Sequence, residues 1–362
     1  MNSSRKNERS NAIFLCRPEF DRINQQARLT KPQNGVISRS SPGCVLDCRA
    51  HIISRMLKKC FRLTAVLLGI AICLAAQQNP HPPVSPIPPE PAQPSTDSIS
   101  VQKDVPYGVQ GSEKLLLDIY QPGEPASRPR PVIVLIHGGS WTSFDKSTMR
   151  GMANFLARSG FVAVSVDYRL LHGSENRWPA QLDDVQRAVR WLRANSRKYN
   201  IDPNHVGAFG HSAGAQLAAL LGMEDTRDNS DPALAKYSSR VQAVVDVSGP
   251  SDFTTNRDPD GDEQLANFLG ADYAKSPDVW QSASPVFHAA KSNAPFLIVH
   301  GTRDEMVPIA QAQELYDKLK QAGVHVTLIQ LDDVHTFQTP EARRRLALET
   351  LTFFTRYLAV NQ

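Results

Sequence analysis

Between residues 114 and 330 the chain alternates two kinds of hydrophobic pattern. One is a short apolar run bounded by turn residues, as at 114–120, 132–136, 161–166, 241–247 and 295–299. Runs with little polar alternation suit strands covered on both faces. The segment 324–330 alternates more openly and also reads as a strand. The other pattern repeats every three or four residues. It predicts helices over 149–157 and 180–197, the latter with Leu182, Val185, Ala188, Val189 and Leu192 on one stripe and charges opposite. Strands alternating with helices predict an α/β fold, a mostly parallel doubly wound sheet. Right-handed crossovers then place helices on both faces. Residues 251–292 break the rhythm: Asp, Asn, Gly and Pro come first, then an apolar group at 265–269 and Trp280. A small helical cap and an ordinary surface crossover both fit that stretch.

The chemistry-bearing residues sit where the runs end. The run 132–136 leads into His137-Gly138-Gly139-Ser140-Trp141, and 161–166 into Asp167-Tyr168-Arg169. A short apolar strand after the turn at 202–204 leads into Gly210-His211-Ser212-Ala213-Gly214, followed at once by a helix-dense stretch. The run 295–299 leads into His300-Gly301-Thr302-Arg303-Asp304, and 324–330 into Asp332-Asp333-Val334-His335. Open α/β sheets collect their ligands at the C-terminal ends of the strands. A G-x-S-x-G at a strand-to-helix join is a sharp turn that presents its serine, and Ser, Asp and His follow here in that chain order.

The residue types then assign roles. The Ser212 hydroxyl is a weak nucleophile until a base takes its proton. Histidine, with an ordinary pKa near 6.5, suits that task, which points to His335. Asp304 orients the imidazole. Asp332 and Asp333 lie only three and two residues before His335, too short a link to serve it. Backbone N–H groups of Gly138, Gly139 and Ala213 are the expected oxyanion-hole donors. Trp141 and His211 are the expected substrate-binding residues, with His211 packed beside the serine rather than acting as a second base. His137 is expected to shape its loop, His300 to be structural, and Tyr168 and Arg169 to brace the loops, with Asp183 or Asp184 as ionic partner.

Taken together and in order, these motifs resemble the α/β-hydrolase carboxylesterases that carry an HGG oxyanion loop. The nearest groups are the bacterial hormone-sensitive-lipase-like and the acetyl-xylan and feruloyl-esterase-like enzymes. The resemblance runs from about Val101 to the C-terminus. It implies an α/β-hydrolase fold and a serine esterase working through an acyl-enzyme on short-chain acyl esters or on acetyl or feruloyl groups linked to polysaccharide. It implies no cofactor and no metal. Two alternatives share the fold: a serine exopeptidase and a non-catalytic binding module. The peptidases usually carry a large extra domain, and the binding modules usually lack a triad residue that is present here.

Charge and cysteine content separate the N-terminal part from the rest. The whole chain of 362 residues is net +4, but residues 1–76 hold 13 Lys and Arg against 4 Asp and Glu, leaving 27 against 32 beyond. The basic balance therefore belongs to the leader, and no nucleic-acid partner is read from it. All five cysteines (Cys16, Cys44, Cys48, Cys60 and Cys73) lie in the first 73 residues. From Met56 the chain shows a basic start, an apolar run and small residues ending at Ala76, the anatomy of a secretory signal peptide. The expectations are translation from Met56, cleavage after residue 75 or 76, and secretion or periplasmic export, with membrane contact only through that signal segment. Residues 1–55 are expected to be a non-native or disordered extension. Residues 77–98, with eight prolines among 79–94, read as a semi-rigid linker before the catalytic domain at 99–362. The expected partner is a small-molecule or polysaccharide ester; oligomeric state is left open.

Overall fold

The computed structural model describes residues 98–111, 113–227, 230–255 and 259–359. The expected extension, signal segment and linker up to residue 97 lie outside the described residues. Eight strands form one sheet: β1 (Ile99–Gln110), β2 (Glu113–Pro122), β3 (Arg130–Ile136), β4 (Val162–Val166), β5 (Ile201–His211), β6 (Ala243–Val247), β7 (Phe296–Gly301) and β8 (Val326–Leu331). Their order is β1-β2-β4-β3-β5-β6-β7-β8. The first two strands and the β2–β4 pair are antiparallel; every later pairing is parallel. This is the mostly parallel, doubly wound sheet expected from the pattern.

The central strands read as unbroken apolar runs because both faces are covered. In β3, Val132, Val134 and Ile136 enter one core, while Ile133 and Leu135 enter the other. The first core takes the buried faces of α2 (Ala180–Ala194), α3 (Ala213–Met223) and α6 (Ile309–Gln321). The second takes those of α1 (Arg150–Arg158) and α7 (Pro340–Leu358), with Phe353, Phe354 and Leu358 buried. Each such large side chain contributes about 1.5–3 kcal/mol by leaving water.

Two local features depart from the simple reading. Strand β5 begins at Ile201, but its pairing with β3 jumps from Arg130↔Ile201 to Val132↔Val206. The expected turn is therefore a bulge inside the strand, closed by the Asn204 N–H donating to Asp202 Oδ1. Residues 251–292 hold two helices, α4 (Pro259–Leu269) and α5 (Pro277–Ala283), followed by a 3₁₀ turn at Pro285–His288. Phe268 of α4 is fully buried and stacks on Trp141, so this helical insert packs against the loop after β3.

Candidate active site

Ser212 sits between β5 and α3 with φ 55° and ψ −123°, a conformation that side-chain-bearing residues seldom adopt. Its N–H donates to Val247 O at the end of β6, which fixes the turn. The flanking glycines are steric requirements. A Cβ on Gly210 would lie 2.1 Å from Gly214 O, and one on Gly214 would lie 2.3 Å from Ile136 O. The first N–H groups of α3, that of Ala213 among them, have no carbonyl to bond within the helix and so are open to an anion beside Ser212.

The loop after β3 runs alongside the serine. A Cβ on Gly138 would lie 3.0 Å from Ser212 Cβ and 2.9 Å from His211 O. Gly139 has φ 110°, and a Cβ there would lie 2.2 Å from Ser143 O. Its carbonyl accepts from the Thr142 and Ser143 N–H groups and from both hydroxyls, which pulls the loop into a tight knot. The Asp167-Tyr168-Arg169 segment past β4 anchors that knot. Asp167 accepts from Lys146 N and Nζ, and Lys146 also pairs with Asp104 of β1. Tyr168 stacks on His137 at 4.3 Å and donates its hydroxyl to His137 O. Arg169 forks onto Asp184, not Asp183, with donors at 2.8 Å. His137 donates Nδ1–H to Gly138 O, and burial holds the ring below the ordinary histidine pKa. As expected, these residues brace the loop.

Across the site, His335 Nδ1 lies 2.7 Å from Asp304 Oδ2. The carboxylate can only accept, so Nδ1 carries the hydrogen and Nε2 is left bare. Asp304 Oδ1 accepts the N–H groups of Met306 and Val307. Burial alone would raise the Asp304 carboxyl, but hydrogen bonds from His300, His335 and Val307 outweigh it and hold the group well below the usual carboxylate range. Asp332 is exposed and pairs with Arg303. Asp333 accepts from the Thr339 hydroxyl and from the N–H groups of Thr339, Val334 and Gln338, which lowers its pKa and commits it to the start of α7. Neither touches His335.

Both residues expected to bind substrate have other partners. Trp141 is only 5% exposed. Its indole stacks on Phe268 at 4.2 Å, meets Phe253 edge-on, and donates to Gln216 Oε1. Gln216 in turn donates to Ala283 O, so one buried amide ties the loop, the helix behind Ser212 and the insert together. His211 donates Nε2–H to His335 O, and burial holds its pKa down, leaving a neutral ring beside Ser212. Gln216 is a residue to which the sequence motifs assign no role. Its position four residues after the serine, inside an otherwise apolar helix, was the available signal. Among the described residues no group of three or more His, Cys, Asp or Glu is arranged to hold a metal ion. No helix among them is long and apolar enough to cross a membrane.

The comparisons agree with this architecture. A carbohydrate esterase from gut microbiota, solved in truncated form, matches with a TM-score of 0.62 and 27% identity over 75% of this chain and 100% of that one. The butyrate-bound esterase Est2 of Thermogutta terrifontis matches with a TM-score of 0.63 and 25% identity over 72% and 96%. The sheet is thus that of the α/β-hydrolase fold. Esterase LipC of Mycobacterium tuberculosis is 32% identical over 57% of this chain and 52% of its own length. Esterase LipQ of the same organism is 32% identical over 64% and 56%. The chain therefore spans about half the length of the curated relatives it matches. The BD-FAE family model matches residues 117–319, which takes in the glycine loop, the Ser212 turn and Asp304. By that match, across more than half its length, the chain belongs to the BD-FAE family.

Proposed function

We propose that the protein is a secreted serine esterase that hydrolyses carboxylic esters through Ser212, His335 and Asp304. The observation that carries the proposal is the His335–Asp304 bond of 2.7 Å, which fixes the tautomer with a bare Nε2 at the end of the sheet where Ser212 stands. The esterase and carbohydrate esterase names of the relatives support the substrate class.

In this reading Nε2 of His335 takes the Ser212 proton as Oγ attacks the ester carbonyl. The oxygen that becomes negative is met by N–H groups of Gly138, Gly139 and Ala213. One such donor is worth roughly 3 kcal/mol to the transition state. Asp304 stabilises the imidazolium, which then protonates the leaving alkoxide. Water, deprotonated by His335, attacks the acyl-Ser212 ester and releases the acid. The substrates we propose are short-chain acyl esters and acetyl or feruloyl groups linked to polysaccharide. The signal-peptide anatomy from Met56 supports export, and N-terminal sequencing of exported protein should find a start near Gln77. A mature chain retaining residues 1–55 refutes export by that segment.

The test of activity is a panel of acetyl, butyryl, octanoyl and feruloyl esters with an aminoacyl anilide alongside. Ester turnover that vanishes in Ser212→Ala supports the proposal. Preferential cleavage of the anilide points instead to a peptidase, and no turnover of any substrate points to a binding module.

A further inference from the structure

Two histidines hold Asp304, and the proposed mechanism uses one. His300, at the end of β7, is fully buried. Its Nε2 lies 2.8 Å from Val307 O and 3.2 Å from Asp304 Oδ2. Both neighbours are acceptors, so Nε2 carries a hydrogen shared between them. Its other nitrogen, Nδ1, has no hydrogen-bond partner among the described residues.

A second buried acid lies on the next strand. Asp246 of β6 is buried, and its register partners are Gly210 on β5 and Ile298 on β7. Residues two apart on a strand share a face, so Asp246 and His300 occupy the same side of the sheet one step apart. Asp246 Oδ1 accepts the Gly249 N–H, while Oδ2 has no partner among the described residues. Burial pushes this carboxyl up to about 6, and the nearby His300 opposes the shift. Among the described residues Asp246 and His300 make no hydrogen bond or ion pair with each other, so the polar contacts of His300 are those to Asp304 and Val307.

We propose that His300 is a positioning residue for the reaction, locking the Asp304 carboxylate toward His335. The proposal rests on the triad reading. The titratable groups that face this cluster are His211 from β5, Asp246 from β6, and Asp304 and His335 from the loops past β7 and β8. Asp333 is engaged at the start of α7.

Removing the His300 donor has two consequences of known sign. Asp304 is held by fewer bonds, so His335 is less well oriented and kcat falls. More of the carboxylate charge also falls on His335, which favours its protonated form in the free enzyme. The acid limb of kcat/KM against pH therefore moves up.

The experiment compares wild type, H300A and H300Q as full chains, measuring kcat, KM and both pH profiles on a soluble acyl ester. For H300A, kcat should fall about tenfold to hundredfold, the worth of one hydrogen bond to a charged group, with KM nearly constant. Its acid limb should rise by about half a unit or more. H300Q places an amide N–H where Nε2 was and should restore most of kcat and the limb. An unmoved limb in H300A, or an H300Q no better than H300A, overturns the proposal. If H300A does not fold, H300Q decides: near-normal kcat is expected, and a hundredfold loss overturns it. If wild type turns over no ester, the triad reading fails instead.

Discussion

Asp304→Asn tests the chemistry most directly, because the structure dictates which way the new amide must turn. Asp304 Oδ1 accepts two backbone N–H groups, from Met306 and Val307. An amide oxygen must take that place, since an NH₂ there would meet two donors. The NH₂ is then forced into the Oδ2 position, 2.7 Å from His335 Nδ1. Facing a donor, Nδ1 must become the acceptor, and the ring hydrogen moves to Nε2. His335 can then no longer accept the Ser212 proton. Loss of the correct tautomer should lower kcat by roughly 10³ to 10⁴, or about 4–5.5 kcal/mol of barrier, with little change in KM. Steady-state turnover of an aryl ester and the rate of Ser212 labelling by an organophosphate should fall together. Asp332→Asn and Asp333→Asn are the controls and should cost about tenfold or less in kcat, since neither touches His335. Near-normal turnover in Asp304→Asn, with loss in Asp333→Asn, would refute the argument.

Three further outcomes are expected. Trp141→Phe strands the Gln216 amide oxygen in a buried site, which costs about 1–3 kcal/mol, and thermal melts should show a drop of several degrees with a lower kcat. Phe144, two-thirds exposed with its ring against Gly139, offers an apolar surface beside the glycine loop; Phe144→Ala should raise KM for a feruloyl ester about two- to tenfold and leave an acetyl ester unchanged. His288 pairs with Glu224 at 2.7 Å, and although burial works against it, that partner raises its pKa. A raised folded pKa gives stability that is complete below the unfolded value, near about 6.5, and is lost as pH climbs through the folded value. Melting temperature should therefore decline over that window in wild type and less so in Glu224→Gln; equal slopes would refute the pairing.

Much of this architecture was legible because parallel strands buried on both faces leave unmistakable apolar runs. The positions where those runs stop also located the glycine loop, Ser212, Asp304 and His335. Strand β1 was not legible: it lies at the sheet edge, most of its residues are exposed, and its pairing with β2 shifts register twice, so no period survives. Asp246 was visible as an acid inside a buried run, yet only the sheet order brings β6 beside β7 and gives that acid a histidine neighbour. Trp141 shows the opposite limit. A tryptophan next to a catalytic loop reads equally well as a pocket wall or as packing, and only the insert's Phe268, more than a hundred residues away, decides what covers it.

Among the described residues, six of the nine non-glycine residues with positive φ gather in the loops past the C-terminal ends of the parallel strands. Ser140, Trp141 and Phe144 after β3, Ser212 after β5, Ser248 after β6 and Phe337 in the loop after β8 all have φ between 49° and 70°. Each costs of the order of 1–3 kcal/mol and persists only where its surroundings allow no alternative. The surroundings here are specific: four donors on Gly139 O, the Ser212 N–H on Val247 O, and the Ser248 N–H on Val299 O. These bonds tie each strained turn to itself or to the neighbouring strand end, so the loops are fixed by the sheet and not by a ligand. In the proposed mechanism, loops held in this way are set before substrate arrives, the condition under which backbone N–H groups stabilise a developing oxyanion without first reorganising. Strain at the C-terminal edge and the rigidity that the proposed acyl transfer needs are then one feature.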